Sequence, residues 1–294
     1  MNNALVNWVK QHDLLTFFLM TFVFFWPKAI ADAAYSVGQL PNPPSSALTW
    51  LALLGTPLIA ALLVSAVTCG KPGLKEWAAR LFRWRVGWQW YLFVLLVYPL
   101  VAATAYTVSD LIAGRAWSVT TMWKAGFENL RVNAVELGLN PENTWQIFVV
   151  LVMVSFLVPI FEEAGWRAFA IPRLQEKYGA LIAGLIMGVI WAVWHLPNFF
   201  TKGTDHYGMP FTWFLLTITA GSVLMVWIMN NTNQSVLMTI LLHGSIILAG
   251  HFLPTQLAYQ TGDYVAFWLT CAFLVVIAIG VVWRYGPQLK RDMK

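Results

Sequence analysis

Long apolar runs broken by short polar stretches dominate the chain, and windows of that pattern predict helical spans at roughly 14–34, 47–69, 90–108, 145–171, 179–199, 211–229, 235–252 and 264–283. A helix rising roughly 1.5 Å per residue needs about 20 residues to cross a hydrocarbon core of about 30 Å. The pattern therefore predicts an all-α fold, a polytopic membrane helix bundle of about eight transmembrane helices, as a single membrane domain over residues 1–294. The fourth run differs from the others. It is apolar from Trp145 to Phe161, then carries Glu162, Glu163 and Arg167 before Pro172 ends the pattern. That helix either holds charge at membrane depth or bends to the surface.

Composition sharpens the picture: 294 residues that are 59% hydrophobic and 11% charged have too little polar surface to cover a water-soluble globule. Lipid is the expected solvent and the lipid bilayer the first partner. Cys69 and Cys271, each beside an apolar run, argue against a disulfide scaffold and against a C-x-x-C metal site. A net charge of +5 invites thoughts of nucleic acid, but the basic residues sit between apolar runs, where they act as topology signals. No nucleic-acid partner is expected.

Lys71, Lys75, Arg80, Arg83 and Arg85 face a lone Glu76 between the second and third runs, so this loop is expected to be cytoplasmic. Alternation places Lys10, Arg173, Lys177, Arg284, Lys290, Arg291 and Lys294 on the same side. The other side holds Arg115, Lys124, Arg131 and Lys202, diluted by Asp110, Glu128, Glu136, Glu142 and Asp205. A multi-pass protein of the plasma (cell) membrane with both termini cytoplasmic is expected. Lys10, the run from Leu14 to Trp26 and Ala31-Asp32-Ala33 also trace the outline of a signal peptide, yet Pro27-Lys28 separates run from site and a retained first helix is expected. Gly73 to Trp88 predicts an amphipathic interfacial helix that anchors topology.

Ionisable side chains at mid-membrane cost roughly 2.5–3.5 kcal/mol each on insertion scales, so each asks for a partner or a purpose. Glu163 and Arg167, four apart with the acid first, can pair on one helix face, while Glu162 is rotated about 100° away and freer to act elsewhere. Gly184, Gly188, Trp191 and His195 fall on one face of the fifth run, whose small residues let a neighbour approach. Thr239, His243, Ile247 and His251 form a second stripe. Counted from the inner ends of their runs, Glu162 and His243 share a depth, whereas His195 falls higher. A carboxylate and two imidazoles turned inward suit peptide hydrolysis, which needs a base for water, a group to hold that water and donors for the oxyanion.

At these residues a family resemblance is visible. Glu162-Glu163-Ala164-Gly165-Trp166-Arg167 resembles the E-E-x-x-x-R motif of the CAAX protease and bacteriocin-processing (CPBP) family of type II prenyl endopeptidase-like membrane proteins. Trp191 to His195 resembles its F-x-x-x-H motif with Trp in place of Phe, followed by Leu196-Pro197, and Asn230 to His243 resembles the approach to its third motif. The resemblance covers 145–251, which would be the catalytic core. It implies an intramembrane endopeptidase acting on a peptide or protein substrate, with Glu162 activating water helped by His195, Glu163 and Arg167 orienting the site, and His243 stabilising the oxyanion. The family's third motif usually places Asn four positions after the His, where this chain has Ile247; Ser245, Asn198 or His251 are the candidates to compensate.

Two imidazoles and a carboxylate would satisfy an open site for a divalent metal such as zinc, but without the local spacing that marks zinc sites; the sequence leaves metal dependence open. H-E-x-x-H, G-x-S-G and G-x-G-D motifs are missing from the sequence. Two other readings stand beside the protease: an inactive scaffold or immunity-type binding protein of the same fold, and a small-solute transporter using the charges as a proton or substrate path. Oligomeric state is not legible.

Overall fold

The computed structural model describes residues 3–115, 118, 120, 124, 126–128, 130–131, 138–253 and 264–290. Glu136, Arg291 and Lys294 of the charge balance lie outside the described residues. In chain order the helices are α1 (Asn3–Gln11), α2 (Asp13–Ser36), α3 (Ser46–Leu54), α4 (Pro57–Thr68), α5 (Gly70–Leu81), α6 (Trp88–Ile112) and α7 (Thr144–Gly165). A π-helical turn (Trp166–Ala170) leads into α8 (Ile171–Tyr178) and α9 (Ala180–Trp194); a 3-10 turn (Leu196–Phe200), α10 (Phe211–Asn231), α11 (Val236–Phe252) and α12 (Tyr264–Tyr285) follow. The fold is all-α, as the apolar windows predicted. Among the described residues, 6 helices are long and apolar enough to cross a membrane, up to 7 if the bent pair α3 and α4 is one span, and α11 is a shorter apolar helix.

The run at 47–69 is not one straight helix. It bends by 54° between α3 and α4. Pro57 opens α4, and Thr56 before it takes φ −63° and ψ 138°, the extended conformation that a residue preceding proline favours. A side chain at Gly55 would sit 2.6 Å from the backbone nitrogen of Phe25, so the bend also lets α2 pass close by.

Contacts cluster into two compact units. The first comprises Met1–Val86, Ile160–Thr239 and Ala278–Lys294. In it α9 packs on α10 through its small-residue face: a Cβ on Gly184 would lie 3.2 Å from Cα of Val223, and one on Gly188 would lie 2.5 Å from Cα of Thr219. The expected glycine face is thus a helix-packing face. Aromatic side chains of α2 join the same unit, with Phe17 edge-on to Trp166 and Phe25 stacked on Trp194. The second unit comprises Gly87–Pro159 and Ile240–Ile277. Its core gathers Tyr98, Val101, Ala102, Ala249 and Leu274.

Candidate active site

Proline at 172 was expected to end the fourth helix, and the structure corrects this: helix continues from Thr144 to Tyr178 over 35 residues. A proline N–H is missing where Ala168 O would accept, and the chain solves this locally. The π-helical turn shifts the pairing so that Ile171 N–H donates to Trp166 O, and Pro172 falls in the first turn of α8, where an N–H is dispensable. The freed carbonyls find donors on α5. Arg80 Nη1 donates to Ala168 O at 3.2 Å, and Trp77 Nε1 to Ala164 O at 2.8 Å. The amphipathic helix expected as a topology anchor therefore also holds the carbonyls of the motif helix.

Continuation to Tyr178 also resolves the expected mismatch in depth. Glu162 and His195 lie nearly equidistant from the Gly179 turn, about 17 and 16 residues along the chain, so helices rising roughly 1.5 Å per residue return His195 to the level of Glu162. Gly179 makes the reversal at φ +78°, a conformation that side chains rarely adopt.

Glu163 and Arg167 form the predicted ion pair, and both are 0% exposed. Arg167 Nη1 donates to Glu163 Oε1 at 3.2 Å, and its Nε lies 3.1 Å from Oε2. One hydrogen bond and a second close charge contact thus hold the guanidinium against the carboxylate. Glu162, 8% exposed, turns to a different partner: Trp191 Nε1 donates to its Oε2 at 2.6 Å. The guanidinium carbon of Arg167 sits 4.2 Å from the Trp191 ring centre, a cation–π contact in a dry setting. One indole thus joins the two halves of the E-E-x-x-x-R motif.

His195 belongs to the same group. It stands at the joint between α9 and the 3-10 turn, with φ −80° and ψ −6°, because Pro197 cannot continue the helix. Its backbone N–H donates to Ala192 O, which releases Trp191 O to meet His195 Nδ1 at 2.9 Å. A carbonyl only accepts, so Nδ1 carries a proton and Nε2 is the ring nitrogen left for further chemistry. Glu162 and His195 are therefore both tied to Trp191, one through its indole and one through its carbonyl.

Two groups at this site were not foreseen. Trp191 is expected from the sequence to share a face with His195 and to stand in for Phe, but not to bind Glu162; the signal available was that indole adds a donor where phenyl has none. His206, in the 201–210 connection, lies 5.6 Å from His195 between ring centres and packs edge-on against Phe214. Burial, and secondarily His195, hold its pKa down at about 3, below its ordinary 6.5. His206 therefore stays neutral in the folded protein while the unfolded chain takes up a proton below about 6.5. The sign follows: its contribution to stability is complete above about 6.5 and declines as pH falls towards 3. Thermal unfolding in detergent from pH 8 to pH 4 is expected to fall less steeply for His206→Phe than for the wild type.

His243 lies on the part of α11 that belongs to the second unit, where it is 8% exposed. Ile247 is half-buried one turn further along the same helix. Of the groups that were to compensate for the missing Asn, Ser245 is committed elsewhere: its Oγ contacts Val94 O at 2.9 Å and Leu242 O at 2.8 Å. Among the described residues, no group of three or more His, Cys, Asp or Glu is arranged to hold a metal ion.

Fold and site together define a polytopic helical membrane protein in which buried Glu162, Glu163 and Arg167, on α7 and its π-helical turn, meet half-buried His195 at the end of α9 through Trp191. Residues 144–249 match the family model described as type II CAAX prenyl endopeptidase, Rce1-like. The chain is also 28% identical over 102 residues to CAAX prenyl protease 2 of Methanococcus maripaludis, a match covering 33% of this chain and 38% of that relative. Residues 144–249 are thus similar to the CAAX protease (CPBP) family, the resemblance that the motifs carry, and the chain spans well under half the length of the curated relative it matches.

Proposed function

We propose that this protein is an intramembrane endopeptidase of the CAAX type, hydrolysing a peptide bond at or within the membrane. The observation that carries the reading is Glu162, a carboxylate buried within a helix long and apolar enough to span a membrane and held by a neutral indole, while the neighbouring Glu163 takes the arginine. A carboxylate bound to arginine is a structural partner; one bound through a single oxygen retains a lone-pair face for water. Glu162 takes the proton from water, His195 Nε2 receives or relays it, and Glu163 and Arg167 hold the helix and the indole in place; the family resemblance assigns the oxyanion to His243. These steps use side chains and water alone. The relative's name points to a CAAX prenyl peptide as the first substrate to try.

The test is the purified full chain in nanodiscs, incubated with a diverse peptide library and a prenylated CAAX peptide, with and without chelator. Specific cleavage supports the reading, and chelator sensitivity would add a divalent metal such as zinc to it. No cleavage of any peptide by folded protein contradicts it. The inactive-scaffold reading has one observation in its favour, Ile247 in the place of Asn. Ile247→Asn is expected to raise turnover about ten-fold or more with little change in KM, because an oxyanion donor acts on charge that exists only in the transition state. Unchanged or lower turnover in a stably folded variant would show that no donor is missing there. Both termini are proposed to be cytoplasmic, in the cell membrane. Cysteines placed near Lys75 and near Lys290 should then be labelled from the same side of sealed vesicles, and labelling from opposite sides would overturn this topology.

A further inference from the structure

We propose that Trp191 is the positioning residue that selects which oxygen of Glu162 faces the water. This rests on the reading of Glu162 as the base. The indole N–H donates to Oε2 at 2.6 Å, shorter than an ordinary N–H to O bond, and Oε1 has no donor among the described residues. With Oε2 occupied in the indole plane, the carboxylate cannot rotate freely about its terminal bond, and Oε1 is the oxygen left to accept from water.

The indole is itself held on two sides. Arg167 covers its face at 4.2 Å and is held in turn by its ion pair with Glu163, while the Trp191 carbonyl meets His195 Nδ1 at 2.9 Å. Turning this one residue would therefore disturb the carboxylate and the imidazole together. A phenyl ring, as in the F-x-x-x-H motif that the segment resembles, could keep the face for Arg167 and the carbonyl for His195. It could not supply the hydrogen bond to Glu162. The donor is the feature that Trp adds to this chain, and it explains why a large polar-edged ring sits 3% exposed against a carboxylate.

The alternative is that Glu162 merely satisfies a buried indole. Two substitutions in the full chain separate these: Trp191→Phe, and replacement of Trp191 by β-(3-benzothienyl)alanine, which keeps the two-ring shape and removes only the N–H. Both are expected to lower kcat about ten-fold or more at unchanged KM, as loss of an orienting hydrogen bond to a charged group should. A readout independent of activity comes from ¹⁵N-indole NMR in nanodiscs. Among the 17 tryptophans, the resonance lost in Trp191→Phe identifies Trp191, and it should move upfield in Glu162→Gln. An active wild type matched by the benzothienyl variant in kcat would overturn the positioning role while leaving the protease reading intact. A Trp191 resonance indifferent to Glu162→Gln would overturn the contact itself. A folded wild type that cleaves nothing would defeat the protease reading first, and this role with it.

Discussion

Glu162→Gln is expected to lower the rate of peptide cleavage by about 10²–10⁴-fold, the contribution that a positioned general base makes. The substitution is close to isosteric. Its amide oxygen can still accept from Trp191 Nε1, placing the NH₂ group where Oε1 stood, so the packing around the indole survives while the basic oxygen is lost. Unfolding temperature and the Trp191 indole environment serve as controls, the first expected to stay near wild type and the second to shift. If Glu162→Gln kept more than about a tenth of wild-type turnover, another group would have to be the base.

The second large effect concerns stability. Arg167→Met removes one half of a pair whose members are both fully enclosed, leaving Glu163 charged without its cation. Such a change typically costs about 3–5 kcal/mol, because the remaining buried charge has lost its cation. It also removes the cation above the Trp191 ring. The double variant Glu163→Gln with Arg167→Met should recover much of the loss, since two neutral side chains carry no desolvated charge. Unfolding free energies of the two single variants and the double variant in mixed micelles measure this directly. Additive losses, with the double variant least stable, would mean that the pair is not the coupled unit the geometry describes.

These effects follow from features that the sequence exposes unevenly. The membrane spans are legible because apolar length is a direct consequence of bilayer thickness. The Glu163 and Arg167 pair is legible because a helix fixes which residues meet at a spacing of four. The close approach of α9 to α10 is legible from Gly184 and Gly188, although the face they share with Trp191 gave no sign of which neighbour each residue would meet. The 54° bend between α3 and α4 escaped because the apolar window is continuous across it, although Thr56-Pro57 carried the local signal.

Pro172 misled for a related reason. Its missing N–H was a correct warning, but the remedy came from a π-helical turn and from Trp77 and Arg80, about 90 residues earlier in the chain. No local rule predicts a donor at that distance. Ending the helix there placed Glu162 too near the inner surface and made His195 look out of reach. With the helix run on to the Gly179 turn, Glu162 and His195 come to the same indole. His206 was passed over because its connection is polar and short, and only the fold shows it among Phe199, Phe214 and His195.

The central claim is that water activated at Glu162 breaks a peptide bond, and one measurement addresses it most directly. Wild type and Glu162→Gln, each purified in nanodiscs and shown to be folded, are incubated with the same peptides in H₂¹⁸O and the products weighed by mass spectrometry. The account predicts new C-termini carrying one ¹⁸O from the wild type and essentially none from Glu162→Gln. Equal product from both proteins, or no product from the wild type with any peptide, would contradict it.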